Sequence, residues 1–394
     1  MIKNVKFSNF YSFNQEQEIS FVAKKKNTHD YFQSNSGDQI TKIASFIGGN
    51  ASGKTNIMRV FSFLSYFVCV DNKNDSSDSD IVYKTFFNNK KPSKFDIEFE
   101  LEDYLFFYNF CIQENKIIEE NLSVKIIKKN SKKVKLFCRE LNNVTSLNKD
   151  YFKNFPKDSK EFLKNIRPDV SLIAFLKAHY SIDIINLIYV YFSKFSTNIN
   201  ERGEINNFAT QIKSLEMYLE DSELKKEMEN FIRHFDIGLD GFEIKKEIKD
   251  KKVSISVQGV HKTQEENNKL DFIYESKGTQ SLFFTLANIL NSLKNNSIVI
   301  IDEIESGFHP EALNKIISYF IDENKDKKSQ IIFSSHSLGF MNKLDMHQIY
   351  LVKKDEESAS LVYRLNQVEG VRPDENFLAK YMAGSYGAFP KIKV

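Results

Sequence analysis

Apolar and polar residues alternate where the chain begins. Ile2-Lys3-Asn4-Val5-Lys6-Phe7 and Ile19-Ser20-Phe21-Val22 each read as a half-buried strand, and the polar turn Asn14 to Glu18 makes them neighbours. Asn9-Phe10-Tyr11-Ser12-Phe13 lies between them, and Lys24 to Gln39 is polar and loop-like. The unbroken apolar run Ile43 to Ile47 predicts a buried strand, and Asn56 to Tyr66 a helix. Asp71 to Asp80 predicts a solvated acidic loop, because its carboxylates lack the spacing, glycine and terminal glutamate of an EF-hand. Alternation returns in Phe95 to Leu101, Tyr104 to Ile112, Leu122 to Ile127 and Val134 to Phe137, the pattern of an antiparallel meander.

The period then changes. Val170 to His179, Ile182 to Phe195, Phe208 to Leu219 and Leu224 to Phe235 carry apolar positions three and four apart, with Asp221 or Ser222 as N-cap of the last helix. No heptad pattern persists long enough for a coiled coil, and there is no internal repeat or proline- or glycine-rich linker. Strands resume at Phe242 to Ile248 and Val253 to Val257, and a helix is expected from about Ser281. Ser297 to Ile301 and Gln330 to Phe333 are continuous apolar runs, as in parallel strands buried on both faces. The order predicts an α/β chain in three stretches: 1–150 with an antiparallel β lobe, 151–240 as a helical insertion, and 241–394 returning to the main sheet.

Composition narrows this only a little. The 394 residues are 41% hydrophobic, ample for a core, and the net charge of +2 leaves nucleic-acid binding to local patches. Two patches exist, Lys125, Lys128, Lys129, Lys132, Lys133 and Lys135 in the meander and Lys245, Lys246, Lys249, Lys251 and Lys252 in the later hairpin. The first reads as a nucleic-acid contact or as a solvated edge blunted with lysine. Cys69, Cys111 and Cys138 are widely spaced, which with no signal peptide predicts a cytoplasmic protein with reduced thiols. The longest apolar stretch, Ile182 to Phe195, is interrupted by Asp183, Asn186 and Ser193 and is too short to span a bilayer.

Candidate chemistry changes the picture more. Gly48-Gly49-Asn50-Ala51-Ser52-Gly53-Lys54-Thr55 satisfies G-x-x-x-x-G-K-[ST] between a predicted strand and a helix running on from Asn56, the setting a P-loop requires. Its backbone N–H groups and the helix N-terminus would cradle phosphate, Lys54 would reach the β/γ-phosphates of ATP and the Thr55 hydroxyl would ligate Mg²⁺. Asp302 and Glu303 end the apolar run from Ser297, which suits Asp302 to Mg²⁺ and Glu303 to polarising the attacking water. His336 follows the apolar run from Gln330, so it is expected at the same carboxyl edge as Asp302, with the spacing of a γ-phosphate sensor. Glu275-Ser276-Lys277-Gly278-Thr279-Gln280 opens a helix and reads either as an ordinary N-cap or as a second anion site serving the nucleotide of a partner subunit.

The order P-loop, serine–glycine signature, Asp-Glu and histidine resembles the ABC-type ATPase heads of the SMC, RecF and OLD group. Glu305-Ser306-Gly307-Phe308-His309-Pro310 looks like that group's D-loop, and Asn9 to Phe13 resembles its N-F-[KR]-S-F element with Tyr11 in place of the basic residue. Ser276-Lys277-Gly278-Thr279 departs from the transporter L-S-G-G-Q and fits the E-S-x-G-T form of stand-alone prokaryotic ATPases. Gly370 to Asp374 and Tyr381 to Pro390 resemble the closing segment of single-chain ATPases in phage-defence operons, such as the ATPase halves of RloA–RloB, AbiL and PARIS-type systems. Val368-Glu369-Gly370 resembles the start of a TOPRIM nuclease, but the short remainder has no D-x-D.

What the resemblance implies is an ATPase switch. Two heads sandwich two ATP molecules, each held by Lys54 of one subunit and by Ser276, Gly278 and Thr279 of the other. The implied partners are a second copy and a separately encoded TOPRIM- or RNase-like nuclease or toxin, with a phage protein as trigger. Alternatives left open are a RecF-like DNA-repair ATPase whose lysine hairpins track duplex, and a non-catalytic nucleotide-bound scaffold; ABC transport fits least, with no membrane segment.

Overall fold

The computed structural model describes residues 1–23, 30–70, 81–128, 131–152, 155, 163, 166–205, 207–234, 238–249, 252–262, 266–307 and 309–390. The expected acidic loop 71–80, the start of the expected loop at 24–29, Lys129, Lys251 and Phe308 lie outside them. The N-terminal elements are β1 (Ile2–Ser8), β2 (Gln17–Ser20), β3 (Val22–Ala23), β4 (Tyr31–Gln33), β5 (Gln39–Thr41), β6 (Ile43–Ile47) and α1 (Lys54–Cys69). The meander follows as β7 (Ser93–Leu101), β8 (Tyr104–Gln113), β9 (Lys116–Ile126), β10 (Val134–Glu140) and β11 (Asn143–Leu147). Next come α2 (Leu172–His179), α3 (Asp183–Ser193), β12 (Ser196–Thr197), α4 (Phe208–Glu220), α5 (Ser222–Arg233), β13 (Gly241–Lys249), β14 (Lys252–Lys262) and β15 (Asn267–Asp271). The chain closes with α6 (Lys277–Asn295), β16 (Ile298–Ile301), α7 (Pro310–Glu323), β17 (Gln330–Ser335), β18 (Ile349–Lys354), β19 (Ser360–Arg364) and α8 (Phe377–Met382).

Two sheets organise the molecule. The central one runs β12-β16-β17-β6-β18-β19, parallel from β12 to β18, with β19 returning antiparallel. Its strands are apolar on both faces because each face has its own core. Ala44, Phe46, Ile298, Ile300, Ile332, Tyr350 and Val352 point to one side, where α1, α2 and α3 lie against the antiparallel sheet. Ile43, Ile47, Val299, Ile301, Ile331, Phe333, Ile349 and Leu351 point to the other, under α4 to α7. That two-sided burial is why the sequence reads as continuous apolar runs rather than as alternation. The antiparallel sheet, β11-β10-β9-β8-β7-β1-β2, confirms the meander and the pairing of the two N-terminal strands.

Several expectations need correction. The stretch before Gln39 is not all loop, since Tyr31–Gln33 pairs with Gln39–Thr41. The lysines of the meander do not blunt an edge, because β10 is covered by β11; Lys128 pairs with Asp103 at 2.7 Å and Lys133 lies over the Phe107 ring at 4.0 Å. Helix α6 starts at Lys277, not near Ser281, because Ser276 caps it. Among the described residues, 151–240 supply four α-helices but also β12, which adds to the main sheet beside β16. No single helix among the described residues is long and apolar enough to cross a membrane. The bent pair α2–α3 has comparable apolarity, but Leu172, Ile173, Leu176, Ile185, Ile188 and Phe192 spend it in the core.

A fully buried ion pair ties the antiparallel sheet to this helical stretch. Arg139 and Glu120 are both 0% exposed and meet at 3.2 Å. Arg139 also donates to the carbonyls of Leu141, Arg167 and Val170, while Glu120 accepts from Tyr108 and from the Leu172 N–H at the start of α2. Burial pushes the Glu120 carboxyl up against the pull of Arg139. Arg139→Met leaves that buried carboxylate without its counter-charge and takes a donor from three carbonyls. It is expected to cost about 3–5 kcal/mol, read as a lower urea midpoint.

Candidate nucleotide site

Five parallel strands of the central sheet aim their carboxyl ends at one edge, and the chemistry collects there. A cavity of about 650 Å³ is lined by Ser12, Asn50, Ala51, Ser52, Gly53, Lys54, Thr55, Asn56, Asp302, Glu303, Ser334, His336 and Lys354. The loop between β6 and α1 makes its floor. Glycine is required at two places: a Cβ on Gly48 would collide with the Val352 carbonyl, and Gly53 has φ +116° with the Ser360 hydroxyl against it. Lys54 is 5% exposed and donates to Gly48 O at 2.8 Å and Gly49 O at 3.0 Å. Burial lowers its pKa, opposed by the carboxylates of Asp302, Glu305 and Glu303 in that order. Lys54 thus sits beside three acids, placed to meet phosphate oxygens.

The acids are held from several sides. Asp302 is fully buried; its Oδ1 accepts from Ser334 Oγ, and Oδ2 has no partner among the described residues. Asn198, just after β12, clamps its main chain: Asn198 Nδ2 donates to Asp302 O at 2.9 Å, and Asp302 N donates to Asn198 Oδ1 at 2.8 Å. Glu303 sits at φ +49°, a conformation uncommon outside glycine, fixed by its N–H to Ser334 Oγ and by Ser306 N to its carbonyl. Its half-exposed carboxylate lies 3.9 Å from His336 Nε2. Glu305 Oε1 accepts from the N–H groups of His336 and Ser337, joining the loop after β16 to the loop after β17.

The orphaned Asp302 Oδ2 fits a Mg²⁺ ion, as does the Thr55 hydroxyl in the same cavity. Among the described residues no group of three or more His, Cys, Asp or Glu could hold a metal by itself. That suits Mg²⁺, which takes one or two protein ligands and completes its shell with water and phosphate.

Ser276, Gly278 and Thr279 are not part of this cavity. Ser276 Oγ accepts from Thr279 N at 3.1 Å as the N-cap of α6, so the ordinary cap is real within the subunit. Gly307 packs on the Lys277–Gly278 backbone, at 3.3 and 3.4 Å from where its Cβ would be, so the loop carrying Glu303 and Glu305 ends on the serine–glycine turn. Tyr11 lies under the Arg59 guanidinium at 4.4 Å, which returns a cation to the N-F-Y-S-F element from the next turn of α1.

A family model described as "AAA domain, putative AbiEii toxin, Type IV TA system" matches residues 43–342. The chain belongs to that family. The matched span of this AAA_21 domain runs from the start of β6 past β17, and so takes in the P-loop, Asp302, Glu303 and His336. No curated protein matches significantly. Among solved structures, the SMC head bound to the C-winged helix domain of ScpA is 11% identical, covering 92% of this chain and 96% of that one at a TM-score of 0.50. The SMC head domain from Thermotoga maritima (13% identity, 92% and 98% coverage, TM-score 0.42) is also similar. So is an SMC head with an extended coiled coil, bound to the C-terminal domain of ScpA, derived from Pyrococcus furiosus (13%, 93% and 97%, 0.45). At these identities the likeness is one of fold: an α/β head of the ABC/SMC P-loop ATPase type.

Sequence reasoning did not find Ser12, Asn198, Ser334, Lys354 or Ser360 around this site. Ser12 and Lys354 enter the cavity from opposite ends of the chain, and Asn198 follows a strand of only two residues. Ser334 was legible only as one of two serines before His336.

Proposed function

We propose that this chain is an ATP-hydrolysing switch that works as a pair of heads and governs a separately encoded effector in anti-phage defence. The observation that carries it is the meeting of Lys54, Asp302, Glu303 and His336 in one cavity while Ser276 and Gly278 stay outside it. Gly48 to Asn56 grips the triphosphate, Lys54 compensates its β/γ end, and Glu303 takes a proton from the attacking water with His336 beside it. Thr55 and Asp302 would hold Mg²⁺, which when bound supplies charge neutralisation on the phosphate oxygens. Residues 151–240 act as the helical insertion that joins the two halves of the head, 1–150 and 241–394.

Exposed Ser276 with Gly278 and Thr279 then caps the nucleotide of the second copy. The contact from Gly307 to Lys277 and Gly278, and from Glu305 to the His336 loop, lets the state of the γ-phosphate reach that interface. The family description, with its toxin–antitoxin wording, and the likeness of the closing segment to defence ATPases support the effector role. An effector of the TOPRIM or RNase type, and a phage protein as trigger, complete this reading.

Subunit mixing tests the shared site. Lys54→Ala and Ser276→Arg proteins should each be inactive alone, and mixing them should restore phosphate release, because one hybrid interface keeps Lys54 and Ser276 together. No recovery on mixing would sink the in-trans arrangement. Co-purification with the neighbouring gene's product tests the effector, and ATPase stimulation by duplex DNA that vanishes with salt would favour the repair alternative instead.

A further inference from the structure

Resting on the reading that the P-loop holds a nucleoside triphosphate, we propose that Lys354 is a second nucleotide-binding cation, one that grips the α-phosphate and ribose end. The sheet order supplies the geometry. Across the carboxyl edge run β16, β17, β6 and β18, so Asp302 and His336 stand on one side of the P-loop strand and Lys354 on the other. β18 is parallel to β6 with Leu351 beside Ile47, and Lys354 ends β18 three residues further on, lining the same cavity as Asn50 of the loop. From β17 to β18 is two inter-strand spacings, about 10 Å, the scale of an extended triphosphate. A nucleotide whose γ-phosphate lies by Glu303 and His336 therefore leads its α-phosphate and ribose toward β18.

The hairpin that carries Lys354 is fastened to the P-loop. Lys354 is the cross-strand partner of Ser360. Ser360 Oγ donates to Ser52 O at 2.6 Å and lies 2.8 Å from Ser12 Oγ, and Ser12 Oγ accepts from Asn56 Nδ2 at 2.7 Å. The turn is closed by Asp355, whose Oδ1 accepts from Glu357 N and Ala359 N at 3.0 and 2.8 Å. Neighbouring Lys353 leans over the Tyr363 ring at 5.4 Å, whereas Lys354 lines the cavity and, among the described residues, donates to Ser358 O alone, at 2.6 Å. An ammonium on a backbone carbonyl can exchange that bond for a phosphate oxygen. Charge favours the exchange: Lys54 already answers Asp302, Glu303 and Glu305, so a triphosphate gains more from a second lysine than Lys54 alone can give.

The α-phosphate and ribose are common to ATP and ADP and take no part in bond breaking, so the contact is uniform binding. Lys354→Ala should weaken ADP and a non-hydrolysable ATP analogue alike, by about tenfold in calorimetric titration, raising KM to match with kcat held, and Lys354→Arg should retain most of the affinity. Unchanged ADP affinity in Lys354→Ala would overturn the proposal. So would a loss confined to the triphosphate, which would put the lysine at the γ end. A structural role alone predicts a lower Tm with KM unmoved, and that outcome also overturns it. If the wild-type protein binds neither nucleotide, the proposed function fails first, which separates the two.

Discussion

Lys54→Ala is expected to lower ATP affinity by about 10²-fold or more, since truncating one partner of a buried, hydrogen-bonded charge pair costs about 2–5 kcal/mol. The lysine is almost fully buried, and three carboxylates act on it. Removing it therefore does two things. It deletes the one cation embedded in the loop, and it leaves Asp302, Glu303 and Glu305 facing a polyanion without the lysine's charge between them. The apo-protein should tolerate the change, because the Gly48 and Gly49 carbonyls that Lys54 meets lose a donor without becoming unpaired charges. Titration with a fluorescent ATP analogue reads the affinity, and an unshifted thermal melt without nucleotide reads the fold. Tight ATP binding by the variant would remove the P-loop assignment and with it the catalytic roles given to the neighbouring strand ends.

What the sequence made legible depended on how local each signal was. The P-loop, Asp302-Glu303 and His336 each follow an apolar run that the chain must bury on both faces, so motif and strand announce one another. Their meeting could be read from topology, because parallel strands of one sheet put their carboxyl ends together. Lys354 and Ser360 gave no such signal. Their hairpin holds the ordinary run Tyr350-Leu351-Val352-Lys353-Lys354, and its value lies in pairing with β6 across some three hundred residues. Asn198 was hidden for a second reason: β12 has two residues, too few for any period, and it joins the sheet only through Val299 and Ile300. The sequence points to a later start for α6 because Gly278 and Thr279 are weak helix formers; the Ser276 cap sets the boundary. The lysine hairpin of the meander reads as an edge from sequence because β11 (Asn143–Leu147), which covers it, is mostly polar and exposed.

Glu303→Gln is expected to lower kcat by about 10²–10⁴-fold, the range for losing a general base, while ATP affinity is retained. The substitution keeps the size of the side chain and leaves the backbone contacts in place: Glu303 N to Ser334 Oγ at 2.8 Å and Ser306 N to Glu303 O at 2.8 Å. Those two bonds hold the residue at φ +49°, which turns its side chain away from the path of buried Asp302 and toward His336. The charge needed to accept a proton is gone, but Lys54, Asp302 and Thr55 are untouched. Binding therefore proceeds and hydrolysis does not, so a nucleotide-driven pair of heads should persist and be visible by light scattering with ATP but not with ADP. Three results separate the roles. Normal turnover would discard Glu303 as the base. Lost turnover with a lasting ATP-dependent dimer supports both the base and the shared site. Lost turnover without a dimer would keep the base and refute the sandwich, since Ser276 would then have no nucleotide across the interface to hold.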